Sequence, residues 1–109
     1  MLKRALGVVV CLFLWTPGYA QTLGTITGEV KDSSGAVIPG ATITAQNVAT
    51  NATRTQASNE VGAYTFAALP PGSYLIKAEL AGFKMAQNTV ELHVEENLRV
   101  NLALEIGTL

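Results

Sequence analysis

Few side chains in this sequence are of types that do chemistry, and their spacing limits what each could do. His93 is the only histidine. A general base needs a nucleophile or an acid partner within hydrogen-bond reach, and a histidine metal site needs further imidazoles or thiolates. The sequence offers no such constellation. Leu92 and Val94 flank His93, so on a strand it points away from both, toward solvent. Asp32, Glu60, Glu91, Glu95 and Glu96 raise the question of calcium, but a hard cation takes roughly six to eight oxygens from a tightly spaced loop. Asp32-Ser33-Ser34-Gly35 supplies one carboxylate, and Glu95 and Glu96 are merely adjacent. These acids read as a turn and a solvated surface. Cys11 stands alone, which excludes an internal disulfide and a cysteine-built metal site. Glycines fall at turns and once inside a strand, at Gly28, and build no phosphate loop. Asn51-Ala52-Thr53 matches a glycosylation acceptor, a weak three-residue pattern. Tyr64, Phe66, Tyr74 and Phe83 are the remaining candidates, as a sugar-stacking platform or as core. Alternation assigns the first three to the core and leaves Phe83, beside Gly82, to cap its end. The sequence therefore predicts no catalytic residue, no cofactor-binding residue and no metal ligand, and it does not read as an enzyme.

The elements that would position these residues are those of one small domain. The chain has 109 residues, seven basic and eight acidic side chains, and a net charge of -1. It is too short for a two-domain enzyme, and it carries no basic excess for nucleic acid. Lys3-Arg4, an apolar run from Ala5 to Trp15 and the small residues Gly18 and Ala20 have the three parts of a secretory signal peptide. Residues 1–20 are expected to be removed after Ala20, leaving Gln21 as the new end. A membrane span takes about 20 apolar residues, and this run breaks at Pro17. Cys11 leaves with the signal, so the exported domain makes no disulfide. Lys3 and Arg4 leave too, reducing seven basic groups to five against eight acidic, a net charge of -3.

After a short linker at 21–24, apolar residues recur with a period of two. Ile26, Gly28 and Val30 alternate with polar neighbours, as do Ala41, Ile43 and Ala45. Tyr64 and Phe66 flank Thr65, and Tyr74, Ile76, Ala78 and Leu80 form the longest set. Val90, Leu92 and Val94 make another, followed by Leu98, Val100, Leu102 and Leu104. This is the pattern of strands with one buried face. Asp32-Ser33-Ser34-Gly35 and Asn59-Glu60-Val61-Gly62 share a turn plan: an acceptor side chain first, a glycine to leave by. Pro39-Gly40, Asn47 to Asn51, Pro70-Pro71-Gly72 and Ala81-Gly82 punctuate the rest. Strands are expected near 25–31, 41–47, 52–58, 63–67, 73–80, 85–92 and 97–104, with short connections that favour antiparallel pairing. Seven such strands predict an all-β, seven-stranded antiparallel Greek-key β-sandwich over 25–104, with an oligonucleotide-binding type of barrel as the rival. Residues 105–109 form a tail or the start of a linker. The strand at 52–58 has little apolar content and reads as an edge, with Arg54 discouraging association. Gly28 is expected to let the facing sheet approach.

Gly62-Ala63-Tyr64-Thr65-Phe66-Ala67-Ala68-Leu69-Pro70-Pro71-Gly72-Ser73-Tyr74 is the most specific text in the chain. With Ile26–Asp32 and Gly35–Ile43 before it and Leu80-Ala81-Gly82-Phe83 after it, this text resembles the carboxypeptidase regulatory-like domain, a transthyretin-like or Cna-B-like sandwich. The likeness spans about 24–104. It is greatest to the copy at the N-terminus of Oar-like, TonB-dependent outer-membrane transporters, where a signal leads into such a domain and a plug and barrel follow. Val61 departs from the small residue usual there. Leu102–Thr108 resembles the link toward the plug.

The resemblance implies a non-catalytic periplasmic accessory module, the N-terminal extension of such a receptor or a fragment of one. Neither plug nor barrel follows Leu109, so transport is not assigned to this polypeptide alone. The implied partner is a neighbouring plug or barrel domain or a cell-envelope protein. The implied place is the periplasm or the periplasmic face of the outer membrane, with no cofactor and no membrane-spanning segment in the mature chain. The alternative is a free-standing secreted sandwich that binds carbohydrate or protein.

Overall fold

The computed structural model describes residues 22–107. The signal peptide expected over 1–20 lies outside the described residues. Within them the chain is all β: β1 (Gly24–Asp32), β2 (Thr42–Asn47), β3 (Thr53–Ala57), β4 (Ala63–Leu69), β5 (Gly72–Glu79), β6 (Ala86–Leu92), β7 (Asn97–Arg99) and β8 (Leu102–Leu104). They form two sheets packed face to face. One has the order β4-β1-β7 with β8 also on β1, and the other has the order β3-β2-β5-β6. Only β2–β3 and β5–β6 are hairpins; the other connections within β1–β7 cross between sheets, as a Greek-key sandwich requires.

The alternating residues meet between the layers. Ile26 and Val30 of β1, Ile43 and Ala45 of β2, and Ile76 and Ala78 of β5 are almost wholly buried, and Leu102 and Leu104 of β8 join them. The turns follow the expected plan closely. Asp32 Oδ1 accepts from the backbone N–H of Ser34 at 2.8 Å and of Ala36 at 3.0 Å, while the Gly35 N–H donates to Asp32 O at 3.0 Å. Asn59 Oδ1 does the same for Val61 at 3.0 Å and Ala63 at 2.9 Å, with the Gly62 N–H on Asn59 O at 2.9 Å. Gly35 and Gly62 leave these turns at φ of 89° and 75°, the left-handed region that glycine enters without Cβ strain.

Four details differ from expectation. First, the antiparallel pairing is incomplete: β1 runs parallel to β7 and β8. A parallel pair needs a long crossover, and here the whole of β2–β6 supplies it. Second, the last strand is two pieces. The register is unchanged across the gap, Thr27 opposite Arg99 and Val30 opposite Leu102, so Val100 and Asn101 leave the ladder without an inserted residue. Third, Gly28 makes room for this break within its own sheet, not for the facing sheet. A Cβ at Gly28 would fall on the Val100 carbonyl and 2.8 Å from Tyr64 Oη. Val94 also differs. β6 ends at Leu92, the chain turns through 93–96, and Val94 is exposed instead of continuing the buried set.

The chain enters at one end of the sandwich and leaves at the other. Gly24 stands opposite Leu69, and Thr25 opposite Asn97, so the β4–β5 and β6–β7 turns share the entry end with the β2–β3 turn. Asp32 stands opposite Leu104 at the exit end. The β1–β2, β3–β4 and β5–β6 connections gather there.

Candidate functional site

Tyr64, Phe66 and Tyr74 are each 2% exposed. They are core, and their faces are closed to a sugar. Tyr64 and Phe66 pack with ring centroids 5.8 Å apart at a 59° tilt. Phe83 is half-buried against the core end, as its place beside Gly82 suggested. His93 is exposed, and its only ionic partner among the described residues is Glu96, Nδ1 to Oε1 at 3.1 Å. The same oxygen accepts the His93 backbone N–H at 2.9 Å. These bonds hold the Glu96 carboxyl below its ordinary value, the backbone bond contributing most. The pair closes a turn and faces no nucleophile. Asp32 is likewise held low, chiefly by the Ser34 hydroxyl at 2.6 Å and then by the Ala36 N–H. Among the described residues no three His, Cys, Asp or Glu side chains gather as a metal site would need.

Two polar arrangements went unnoticed in the sequence, because each couples residues far apart along it. In the first, the Tyr64 hydroxyl donates to the Val100 carbonyl where β7 and β8 part. The Val100 N–H still bonds Thr27 O at 2.7 Å, and the displaced Glu29 N–H finds Asn101 Oδ1 at 3.1 Å. Burial pushes the Tyr64 phenol up to about 12, with the positive Arg99 pulling the other way. In the second, side chains close the outer edge of β4. Gln56 Oε1 accepts the Thr65 N–H at 2.6 Å, and Arg54 Nη1 donates to Ala67 O at 2.6 Å. Ala67 and Ala68 form a bulge against β1, and Ala68 sits at φ 58°. Arg54 thus satisfies a carbonyl that the bulge frees. β3 is an edge strand as expected, every residue exposed, and its Arg54 guards the neighbouring edge as well as its own.

Of the six large apolar side chains exposed among the described residues, four lie at the exit end, and Val48 and Val94 lie in the β2–β3 and β6–β7 turns at the entry end. Val37 in the β1–β2 connection is 43% exposed, Val61 in β3–β4 61%, Met85 in β5–β6 51% and Ile106 in the tail 73%. Every connection at this end, and the tail, presents one large apolar side chain. The tail is fixed to the β5–β6 connection: the Lys84 N–H donates to Glu105 O at 2.7 Å, the Gly107 N–H to Gly82 O at 2.9 Å, and Phe83 bridges Ile106. An open cleft of about 540 Å³ lies beside them, lined by Leu80, Phe83 and Met85 among others. Loops built as turns would be expected to be polar, so this concentration is a surface feature.

The family model of the carboxypeptidase regulatory-like domain matches residues 25–105. The chain belongs to that family. No curated protein matches it. Solved structures share the fold of the regulatory-like domain at low identity. The Bacillus anthracis TIE protein is 20% identical with a TM-score of 0.68, over 78% of this chain and 17% of that one. A streptococcal ancillary pilin is 15% identical with a TM-score of 0.65, over 80% of this chain and 33% of that one. Klebsiella pneumoniae 5-hydroxyisourate hydrolase is 24% identical with a TM-score of 0.64, over 79% of this chain and 93% of that one. The chain therefore spans a third or less of the first two. Because the same sandwich occurs in a hydrolase and in a pilin, fold alone does not fix activity. The regulatory-like family is consistent with a non-catalytic module.

Proposed function

We propose that this regulatory-like domain is a non-catalytic periplasmic accessory module, exported by residues 1–20, that forms the N-terminal extension of a TonB-dependent outer-membrane receptor. It docks onto the following plug or barrel domain, or onto a cell-envelope protein, through the exit end. The observation that carries this reading is the row of Val37, Val61, Met85 and Ile106, one from each connection and one from the tail. An end face that sheds its chain while exposing apolar side chains suits a neighbour on the same chain. The receptor context rests on the likeness of the chain to the N-terminal domains of such transporters. The carbohydrate-binding alternative has less support, because three of the four aromatic rings that would stack on a sugar lie in the core.

The test is the size and location of the native product. Source cells are fractionated, and peptides from 24–104 are sought by mass spectrometry after a denaturing gel. Outer-membrane peptides in a band far above the 11.5 kDa of this chain support the receptor reading. A soluble periplasmic species below that mass, starting at Gln21, overturns it.

A further inference from the structure

At the entry end, away from the docking face, the β2–β3 and β4–β5 turns enclose a cavity of about 320 Å³, near the lower end of the range of small-molecule sites. Its floor is the core itself: Ala45, Leu69 and Tyr74, each nearly fully buried. Ala49 and Ala52 line it from one turn, Pro70 and Pro71 from the other. Small side chains on one side and rigid rings on the other leave the space open.

Several polar groups of the lining are engaged within the protein. Asn47 Oδ1 accepts the N–H groups of Ala49 and Thr50 at 2.9 and 3.1 Å, and the Tyr74 hydroxyl donates to Pro70 O at 2.6 Å. The Asn47 Nδ2 and the Thr50 hydroxyl hydrogen have no protein acceptor among the described residues, and Arg54 adds a charge to these donors. Its Nη1 is bound to the β4 bulge, but its remaining donors have no protein acceptor among the described residues. No carboxylate there lies within ion-pair distance of it, and no acid lines the cavity. On a domain with an acidic excess, one anchored and unneutralised guanidinium lines a pocket whose walls are mostly apolar.

We infer that this cavity binds a small organic carboxylate: an apolar, ring-sized or branched body held between Ala49 and Ala52 of one turn and Pro70 and Pro71 of the other, with its carboxylate on the free donors of Arg54. The Nη1 bond holds the guanidinium in one orientation, so little of its freedom is left to lose on binding. A neutral sugar has no charge to set against Arg54, and the lining gives its ring no exposed aromatic face. Nothing in this inference depends on the receptor reading.

Phenylacetate is the probe, titrated into the 15N-labelled full chain and followed by backbone amide shifts, with phenylacetamide as its neutral counterpart and methyl glucoside as the sugar. The expected result is saturable shifts at Ala49, Ala52, Gly72 and their neighbours. Phenylacetamide should bind at least about tenfold more weakly, and the glucoside should give no shifts. Arg54→Gln should bring phenylacetate down to the level of phenylacetamide, and Arg54→Lys should recover part of the difference. Because Arg54 also supports the bulge, Ala52→Leu provides a second variant: it fills the cavity, leaves Arg54 in place and should abolish binding of both probes. Absence of saturable shifts in the unmodified chain would overturn the inference. So would equal binding of acid and amide, shifts confined to the exit end, or unchanged phenylacetate binding in Ala52→Leu.

Discussion

The turn at Asp32 and the hydroxyl of Tyr64 carry opposite pH signatures. Asp32 has a carboxyl held below its ordinary value of 3.8 by bonds it makes only in the fold. A lowered folded value means stability present above the unfolded value and lost as pH falls through the folded one. Asn59 fills the same place in an equivalent turn with a neutral side chain. Asp32→Asn is therefore expected to leave neutral-pH stability nearly unchanged and to flatten the acid limb below about pH 4, as read by urea denaturation across pH. Tyr64 has the raised value, about 12 against 10.0, so its contribution is complete below pH 10 and declines as pH rises toward 12. Tyr64→Phe would strand the Val100 carbonyl, at a cost of roughly 1–3 kcal/mol at pH 7. The gap between the two proteins should narrow in that alkaline window, which denaturation at pH 8, 10 and 11.5 would detect. A constant gap would mean the hydroxyl does not hold the break.

Among the elements, β1 is the one on which both halves of the last strand depend, and its two buried glycines separate close approach from simple packing. A Cβ at Gly24 would meet the buried Leu92 side chain, its Cγ and both Cδ atoms at 2.9 Å, whereas at Gly28 it would meet the Val100 backbone. Gly24→Ala should cost on the order of 1 kcal/mol, and Gly28→Ala should reach or exceed the ~3 kcal/mol common for overpacking. Hydrogen exchange should show β7 and β8 losing protection in the second variant alone. The strands themselves were legible in the sequence because alternation is a local signal: Ile26, Ile43, Tyr74 and Leu102 all lie where parity puts them. The split at Val100 was not, since Leu98, Val100, Leu102 and Leu104 keep their alternation straight through it. Nor was the edge cap, because Arg54 and Gln56 reach β4 residues that sequence distance conceals. The exposed Val37, Val61, Met85 and Ile106 read as ordinary apolar residues until the topology collected their loops at one end. The entry cavity stayed hidden for a related reason. Ala49, Ala52 and Pro71 carry no chemistry, and only the folding of two turns toward one another makes them a site.

For the molecule as a whole, the parallel pairing of first and last strands sets how it bears load. The chain enters β1 at Gly24 and leaves β8 after Leu104, at opposite ends, so tension along the chain slides β1 past β7 and β8. The Thr25–Asn97 to Thr27–Arg99 and Val30–Leu102 to Asp32–Leu104 pairs then resist together. Tension between Gly24 and Leu69, which stand opposite each other on β1 and β4, would instead open one antiparallel pair at a time. Forced unfolding follows the barrier to unfolding and not the equilibrium stability, so the two directions should differ in one protein under one condition. Single-molecule pulling is expected to give a clearly higher rupture force through attachment points flanking 22–107 than through cysteines placed at 24 and 69. Val30→Ala, in the second half of the ladder, should lower the first force and leave the second little changed, because opening from Gly24 and Leu69 reaches Val30 last. Equal forces along the two directions would show that the parallel seam bears no special load.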